Sequence, residues 1–222
     1  MYAVLGSVSG VLALIVIAAG APYSAKLERA KPPASLSTAH RQLLAPEALL
    51  VRVGEAPVMR IWFRAAIPVQ ATEEQFRSGL TYRQIPEGTL IGAIELPKVF
   101  IDYRKQRIPA GTYTLRFAIQ PDTGDHTGTS PHPEFCLLSP AAEDTSTRAM
   151  APKQLIELSS RVNGGRHPAV LLLWPHNSPN GDAKVIDQGN GVVAATVQRP
   201  VAAGTRRAQL GFAITVAGWR KP

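Results

Sequence analysis

TYTLRFAIQ, residues 112–120, decides how this chain is read. Tyr113, Leu115, Phe117 and Ile119 fall on one side of an extended backbone, because successive side chains of a strand point to opposite faces. The same period of two recurs in VMRIWFRAAIPV (58–69), where Met59, Ile61 and Phe63 share a face opposite Arg60, Trp62 and Arg64. ALLVRV (48–53), TLIGAIEL (89–96), KVFIDYR (98–104), FCLLS (135–139), AVLLLW (169–174) and AQLGFAITVAGW (208–219) read as further short strands. AKVIDQGNGVVAATVQ (183–198) reads as a hairpin turning at Gly189-Asn190-Gly191. Pro97, between two of these runs, predicts an interrupted edge or a bend rather than a central strand. One clear helix is expected in TSTRAMAPKQLIELSSRVNGG (145–165), with Pro152 in its first turn, Leu155, Ile156, Leu158 and Val162 at helical spacing, and Asn163-Gly164-Gly165 to stop it. ATEEQFRSG (71–79) reads as a short helical turn. Many short strands with one helix predict a mainly β chain. The expected architecture is a β-sandwich, immunoglobulin-like or jelly-roll-like, over residues 47–222, with the helix inserted.

Composition agrees with that reading. The 222 residues include 18 glycines and 19 prolines, a turn-rich usage, while hydrophobic residues at 45% and charged residues at 18% suit a packed core. The net charge of +8 is dispersed along the chain with no basic patch interleaved with aromatics, so nucleic acid is not an expected partner. Cys136 is the only cysteine, which excludes an intrachain disulfide and the cysteine-based zinc motifs. No Walker loop, dinucleotide fingerprint or haem-attachment motif occurs, and no cofactor is expected.

Residues 2–23, YAVLGSVSGVLALIVIAAGAPY, carry no charge. As a helix they would span roughly 30 Å, the hydrocarbon thickness of a bilayer. A cleaved secretory signal and a retained transmembrane anchor compete here. Nothing basic precedes the run, and Ala19-Gly20-Ala21 is followed by Pro22, so residues 1–23 are read as an anchor. Lys26, Arg29 and Lys31 follow it, which by charge bias alone would put that flank in the cytoplasm; export of the globular part is nevertheless the reading taken. Residues 24–46, with their charges and Pro32-Pro33, read as a tether, and His40 as a solvated residue within it.

The densest polar stretch is QPDTGDHTGTSPHPEF, residues 120–135. Asp122, Asp125, His126, His132 and Glu134 are ligand types for zinc or non-haem iron, and Asp125, His126 and His132 form the candidate metal set. Their spacing matches no standard helical metal motif. The competing reading is a rigid turn in which aspartate, threonine and serine cap their own backbone and Pro131 and Pro133 stiffen the return. Ser130, His126 and Asp125 have the residue types of a catalytic triad but lack a strand-to-helix nucleophile elbow. Cys136 lies in an apolar strand pattern, the place of an inert buried thiol. No catalytic residue is assigned, and the chain is read as not an enzyme. A second loop, WPHNSPNGD (174–182), brings His176 and Asp182, with His167 before the same strand. Trp62, Trp174 and Trp219 are the available aromatic platforms for a carbohydrate.

RIPAGTYTLRFAIQPDTGDHTGTSPHPEFCLLSPAAED (107–144) is similar to a stretch of exported bacterial proteins of unknown function. In those proteins a Pro-x-Gly-x-Tyr turn leads into a strand, then a GDH-x-G-x-SP loop, then an apolar strand ending in a PA-x-x-D turn. Gly124, Asp125, His126, Gly128, Ser130 and Pro131 carry the likeness. The resemblance implies a secreted or membrane-tethered β-sandwich domain. Within the turn, Gly111 permits a backbone closed to other residues, and Tyr113 buries its ring while its hydroxyl ties back to the backbone. Gly111, Tyr113, Asp125, His126, Ser130 and Pro131 are thus expected to organise the loop structurally. The resulting expectation is a non-enzymatic, membrane-anchored domain in the periplasm or otherwise outside the cytoplasm, an accessory or scaffold subunit of a membrane or envelope complex. The alternative is a periplasmic protein that binds a metal, a carbohydrate or another ligand through residues 120–135.

Overall fold

A computed structural model describes residues 23–121, 130–165, 167–176 and 182–218. The expected N-terminal membrane helix, residues 1–23, lies outside the described residues except for Tyr23, which opens a strand instead. The strands are β1 (Tyr23–Arg29), β2 (Glu47–Val53), β3 (Ala56–Phe63), β4 (Ile67–Pro68), β5 (Leu90–Leu96), β6 (Phe100–Ile101), β7 (Arg107–Ile108), β8 (Gly111–Ile119), β9 (Glu134–Pro140), β10 (Ala169–Trp174), β11 (Lys184–Gly189), β12 (Val192–Ala203) and β13 (Arg206–Ala217). The helices are α1 (Thr38–Leu43), α2 (Glu73–Ser78) and α3 (Pro152–Ser160). The protein is mainly β, as the period of two predicts.

Ten strands form one curled antiparallel sheet in the order β1-β2-β3-β5-β8-β9-β10-β13-β12-β11, with β4 added parallel to β12. Strand β10 changes partners along its length: Ala169 to Leu172 pair with β9, while Leu173 and Trp174 pair with β13. The curl brings β1 against β11 and β12, so both outer strands are partly covered. The main core fills the concave side. Met59, Ile61 and Phe63 of β3 and Tyr113, Leu115 and Phe117 of β8 all point into it, the faces that alternation assigned to them. Ile119 does not; it sits at the strand end, 41% exposed.

Helix α3 begins at Pro152 and is followed by a turn that ends on Gly164, at φ 75°. It lays Leu155 on the outer face of the sheet over Ala118, Leu137 and Val170. The β11–β12 hairpin turns through Asn190, with positive φ at Gly189, Asn190 and Gly191, the left-handed backbone that asparagine and glycine tolerate.

Three expectations are corrected. Residues 24–46 are not a free tether. β1 pairs with β2 along all seven residues, and its alternation puts Tyr23, Ala25 and Leu27 against the core while Lys26 and Glu28 face outward. Beyond it, Leu36 packs with Trp62 on the outer face, the Trp62 indole donates to Ala30 O at 2.9 Å, and Ser37 caps α1. His40 is buried at 1% exposure, with Nε2 2.9 Å from Ser146 O. Pro97 marks the bend that the sequence allowed, but not an edge: β5 is interior, between β3 and β8, and the proline stands just past its last ladder residue, where no amide hydrogen is needed.

The least expected feature is a buried ion pair. Arg116, on the outward face of β8, and Asp144, after β9, are both fully buried. The guanidinium donates twice to the carboxylate, Nε to Oδ2 at 2.7 Å and Nη2 to Oδ1 at 2.8 Å, and also to Gly88 O and Arg148 O at 2.9 Å and to Ser146 O. Thr114 Oγ1 donates to Asp144 as well. The pair pins residues 144–148 across the back of β8. Gly88 is part of this join: its φ is +77°, and a Cβ there would stand 1.9 Å from Met150 O.

The strand registers give the body two distinct ends. Tyr23, Val53, Leu96, Gly111, Pro140, Ala169, Val193 and Ala217 lie toward one end, where the chain enters, called proximal here. Arg29, Phe63, Ile119, Glu134 and Trp174 lie toward the other, distal end.

Candidate functional site

At the distal end the described ends of the two polar loops, residues 132–134 and 175–176, meet a short helical turn. The return from the first loop supplies His132 and Glu134, the residues just past β10 supply Pro175 and His176, and the turn Tyr82–Gln84 supplies Tyr82 and Arg83. Together with Leu210 and Gly211 of β13 they enclose a cleft of about 490 Å³, and a neighbouring hollow of about 370 Å³ shares Thr81, His176 and Gly211 with it.

Local chemistry holds each part in place. Thr81 accepts from Arg83 N, and the Gln84 side chain accepts from Thr81 N at 2.8 Å, a reciprocal cap. The Tyr82 hydroxyl donates to Trp174 O and accepts from Ala213 N, both at 3.0 Å, so one phenol closes the gap between β10 and β13. Burial pushes its pKa up, and it stays a neutral phenol. The Trp174 indole donates to Thr215 Oγ1 at 2.7 Å, and the His132 ring meets Trp174 edge-on at 5.0 Å between centroids. Gly211 lets β13 pass beside His176: a Cβ there would lie 2.8 Å from His176 O.

The electrostatics are mixed. Arg83 and Glu134 approach to 3.7 Å, with Arg83 79% exposed, a loose pair that water screens. Desolvation, and then the charge of Lys184, hold the His176 pKa below its ordinary value of 6.5. The cleft therefore offers a neutral imidazole, a second imidazole on an indole, a carboxylate and an exposed guanidinium. These groups hydrogen-bond and stack; they form no nucleophile-and-base pair. Because the unfolded chain binds the His176 proton more readily, unfolding free energy should fall as pH drops through 6.5 and level off below the folded pKa. Urea midpoints at pH 7 and pH 5 should show a steeper decline in the native chain than in His176→Gln; equal slopes would remove His176 from the account.

Of the residues singled out in the sequence, Asp122, Asp125 and His126 lie outside the described residues. Ser130 and Pro131 stand at the distal end, where Ser130 N donates to Gln120 Oε1 at 2.8 Å and Ser130 Oγ accepts from His132 N at 3.3 Å. Gly111 and Tyr113 stand at the other end of β8, and the Tyr113 hydroxyl donates to Pro109 O at 2.8 Å. The described members of the expected structural set are thus split between two ends of a nine-residue strand, about 30 Å apart. Among the described residues no group of three or more histidine, cysteine, aspartate or glutamate side chains is placed to hold a metal ion. Cys136 is fully buried, and burial raises its thiol pKa. His167 is at the proximal end, away from His176. Trp62 is buried under residues 30–36 and offers no platform, and Trp219 lies outside the described residues.

Tyr82 and Arg83 were missed in the sequence. The readable signal is Thr81-x-x-Gln84, the cap that starts their turn. The class so defined is a mainly β domain with a cleft of mixed polar and apolar lining at one end. No family model matches the chain, no curated protein matches it, and no solved structure matches it.

Proposed function

We propose that this chain is a non-enzymatic domain held at a membrane, outside the cytoplasm, by its N-terminal segment, and that it serves as an accessory or scaffold subunit of a membrane or envelope complex. One observation carries the reading: β1 begins at Tyr23, directly after the uncharged run, and is paired with β2 from its first residue. An anchored segment would therefore hold the body itself, with no slack, and the cleft of His132, Glu134, His176 and Arg83 would face away from the bilayer toward a partner. The curled sheet, divided where β10 changes partners and backed by α3, is read as an immunoglobulin-like or jelly-roll-like sandwich. The likeness of residues 107–144 to exported bacterial proteins supports the same compartment.

Flotation of the full chain with membranes, followed by intact mass and mild-detergent sizing, tests this. The expected result is a full-length chain that resists carbonate extraction and migrates with larger partners. A shortened, soluble, solitary monomer would reject it. That outcome would favour the second reading, a free periplasmic ligand-binding protein, because the distal cleft joins the ends of both polar loops beside Trp174.

A further inference from the structure

The proximal end has its own surface. Val99 is 47% exposed, more than any other large apolar side chain among the described residues, and it lies on the link from β5 to β6. With Tyr23, Val58, Phe100, Ile101 and Val193 it lines an open hollow of about 510 Å³. These residues come from separate stretches of chain, so the apolar rim is a product of the fold rather than of one segment. The rim is firmly held. Asp102, next to Ile101, accepts from Arg104 N at 2.9 Å, Gln106 N at 2.8 Å and Val170 N at 3.3 Å, which ties the β6–β7 hairpin to β10. Lys98 beside Val99, and Lys105 and Arg107 on the hairpin, are exposed and form no ion pair among the described residues.

Position decides what covers this rim. Residues 2–22 carry no charge, and as a helix of about 1.5 Å per residue they match the roughly 30 Å of bilayer hydrocarbon. Tyr23, the next residue, is itself in the rim and already paired to Val53. A chain anchored this way has no spacer to lift the rim from the headgroups. Apolar side chains flanked by lysine and arginine and bordered by tyrosine suit the boundary between acyl chains and phosphates.

We infer that the proximal rim is a lipid-contact surface: Val99 and Ile101 enter the acyl–headgroup boundary of the bilayer that holds the N-terminal segment, and Lys98, Lys105 and Arg107 meet lipid phosphates. The inference rests on the reading of that segment as a retained anchor. It fixes the domain upright on the membrane, cleft outward, instead of swinging beneath its attachment.

The test uses the full chain in vesicles of phosphatidylethanolamine and phosphatidylglycerol, with a nitroxide at Val99→Cys or, at the distal end, Glu74→Cys. Cys136 is fully buried, so labelling is selective. Both sites are exposed, and the ion pair of Glu73 with Arg206 places residue 74 beside the β12–β13 turn at the distal end. Power saturation is expected to show the label at 99 relaxed by oxygen and shielded from a water-soluble nickel chelate, and the label at 74 the reverse, a severalfold contrast in the accessibility ratio. Equal nickel access at both sites in chains that float with the vesicles overturns the lipid contact and leaves the anchor standing. Shielding of residue 99 from oxygen and nickel alike also overturns it, since protein then covers the rim: the N-terminal segment itself or a second copy. Chains that fail to float overturn the anchor and this inference together.

Discussion

Replacing Asp144 with alanine is expected to destabilise the protein by roughly 3–5 kcal/mol, the usual consequence of stranding one member of a buried ion pair. Arg116 would keep its contacts to Gly88 O, Arg148 O and Ser146 O but lose both bonds to the only carboxylate it touches among the described residues, at a fully buried site. Three carbonyls orient a guanidinium; they do not neutralise it. Urea denaturation at unchanged slope should show the loss as a lower midpoint. The double replacement Arg116→Met with Asp144→Leu should recover much of it, because removing both charges also removes their desolvation cost. A loss below about 1 kcal/mol for Asp144→Ala would mean that the carbonyl cage alone sustains the charge.

Phe212→Ala is expected to cost a similar amount, roughly 3–5 kcal/mol, through the cavity it leaves. The Phe212 ring is fully buried, with its centroid 5.4 Å from Phe63 and 5.3 Å from Tyr82. Tyr82 also holds the seam between β10 and β13, so the damage should reach the distal cleft as well as the core. Phe212→Leu keeps most of the volume and should lose under about 1.5 kcal/mol. Parallel denaturation curves of the two variants give the measurement, and equal losses would show that ring geometry, not volume, dominates at this position.

Local rules found most of the strands. Alternation in β3 and β8 assigned the buried faces, Pro152 and Gly164-Gly165 bracketed α3, and Gly189-Asn190-Gly191 turned the last meander. What escaped was non-local. SAKLER alternates, but its charges dominate the composition, and only the partner strand β2 makes it a strand. Arg116 and Asp144 are 28 residues apart; each alone looks like an ordinary surface charge, and nothing local announces that residues 144–148 fold over the back of β8. His40 looked solvated for the same reason, its acceptor being 106 residues away. The distal cleft was half legible: both loops were noticed for their histidines, while the turn of Tyr82 and Arg83 is too short to carry a period.

The change of partners along β10 sets an order of assembly. From β1 to β10 each long strand can zip onto one already made as the chain emerges, through β2, β3, β5, β8 and β9 in turn. β11 and β12 break that succession, since neither touches β10 in the ladder, and the gap is bridged only when β13 arrives. Until Arg206–Ala217 is in place, β10 is an open edge and the β11–β12 hairpin has only β4 and β1 to pack against. A ribosome or translocase releasing this chain would hold an unfinished sheet until β13 emerges, and the interval before β13 docks is one in which a chaperone has an exposed strand to bind.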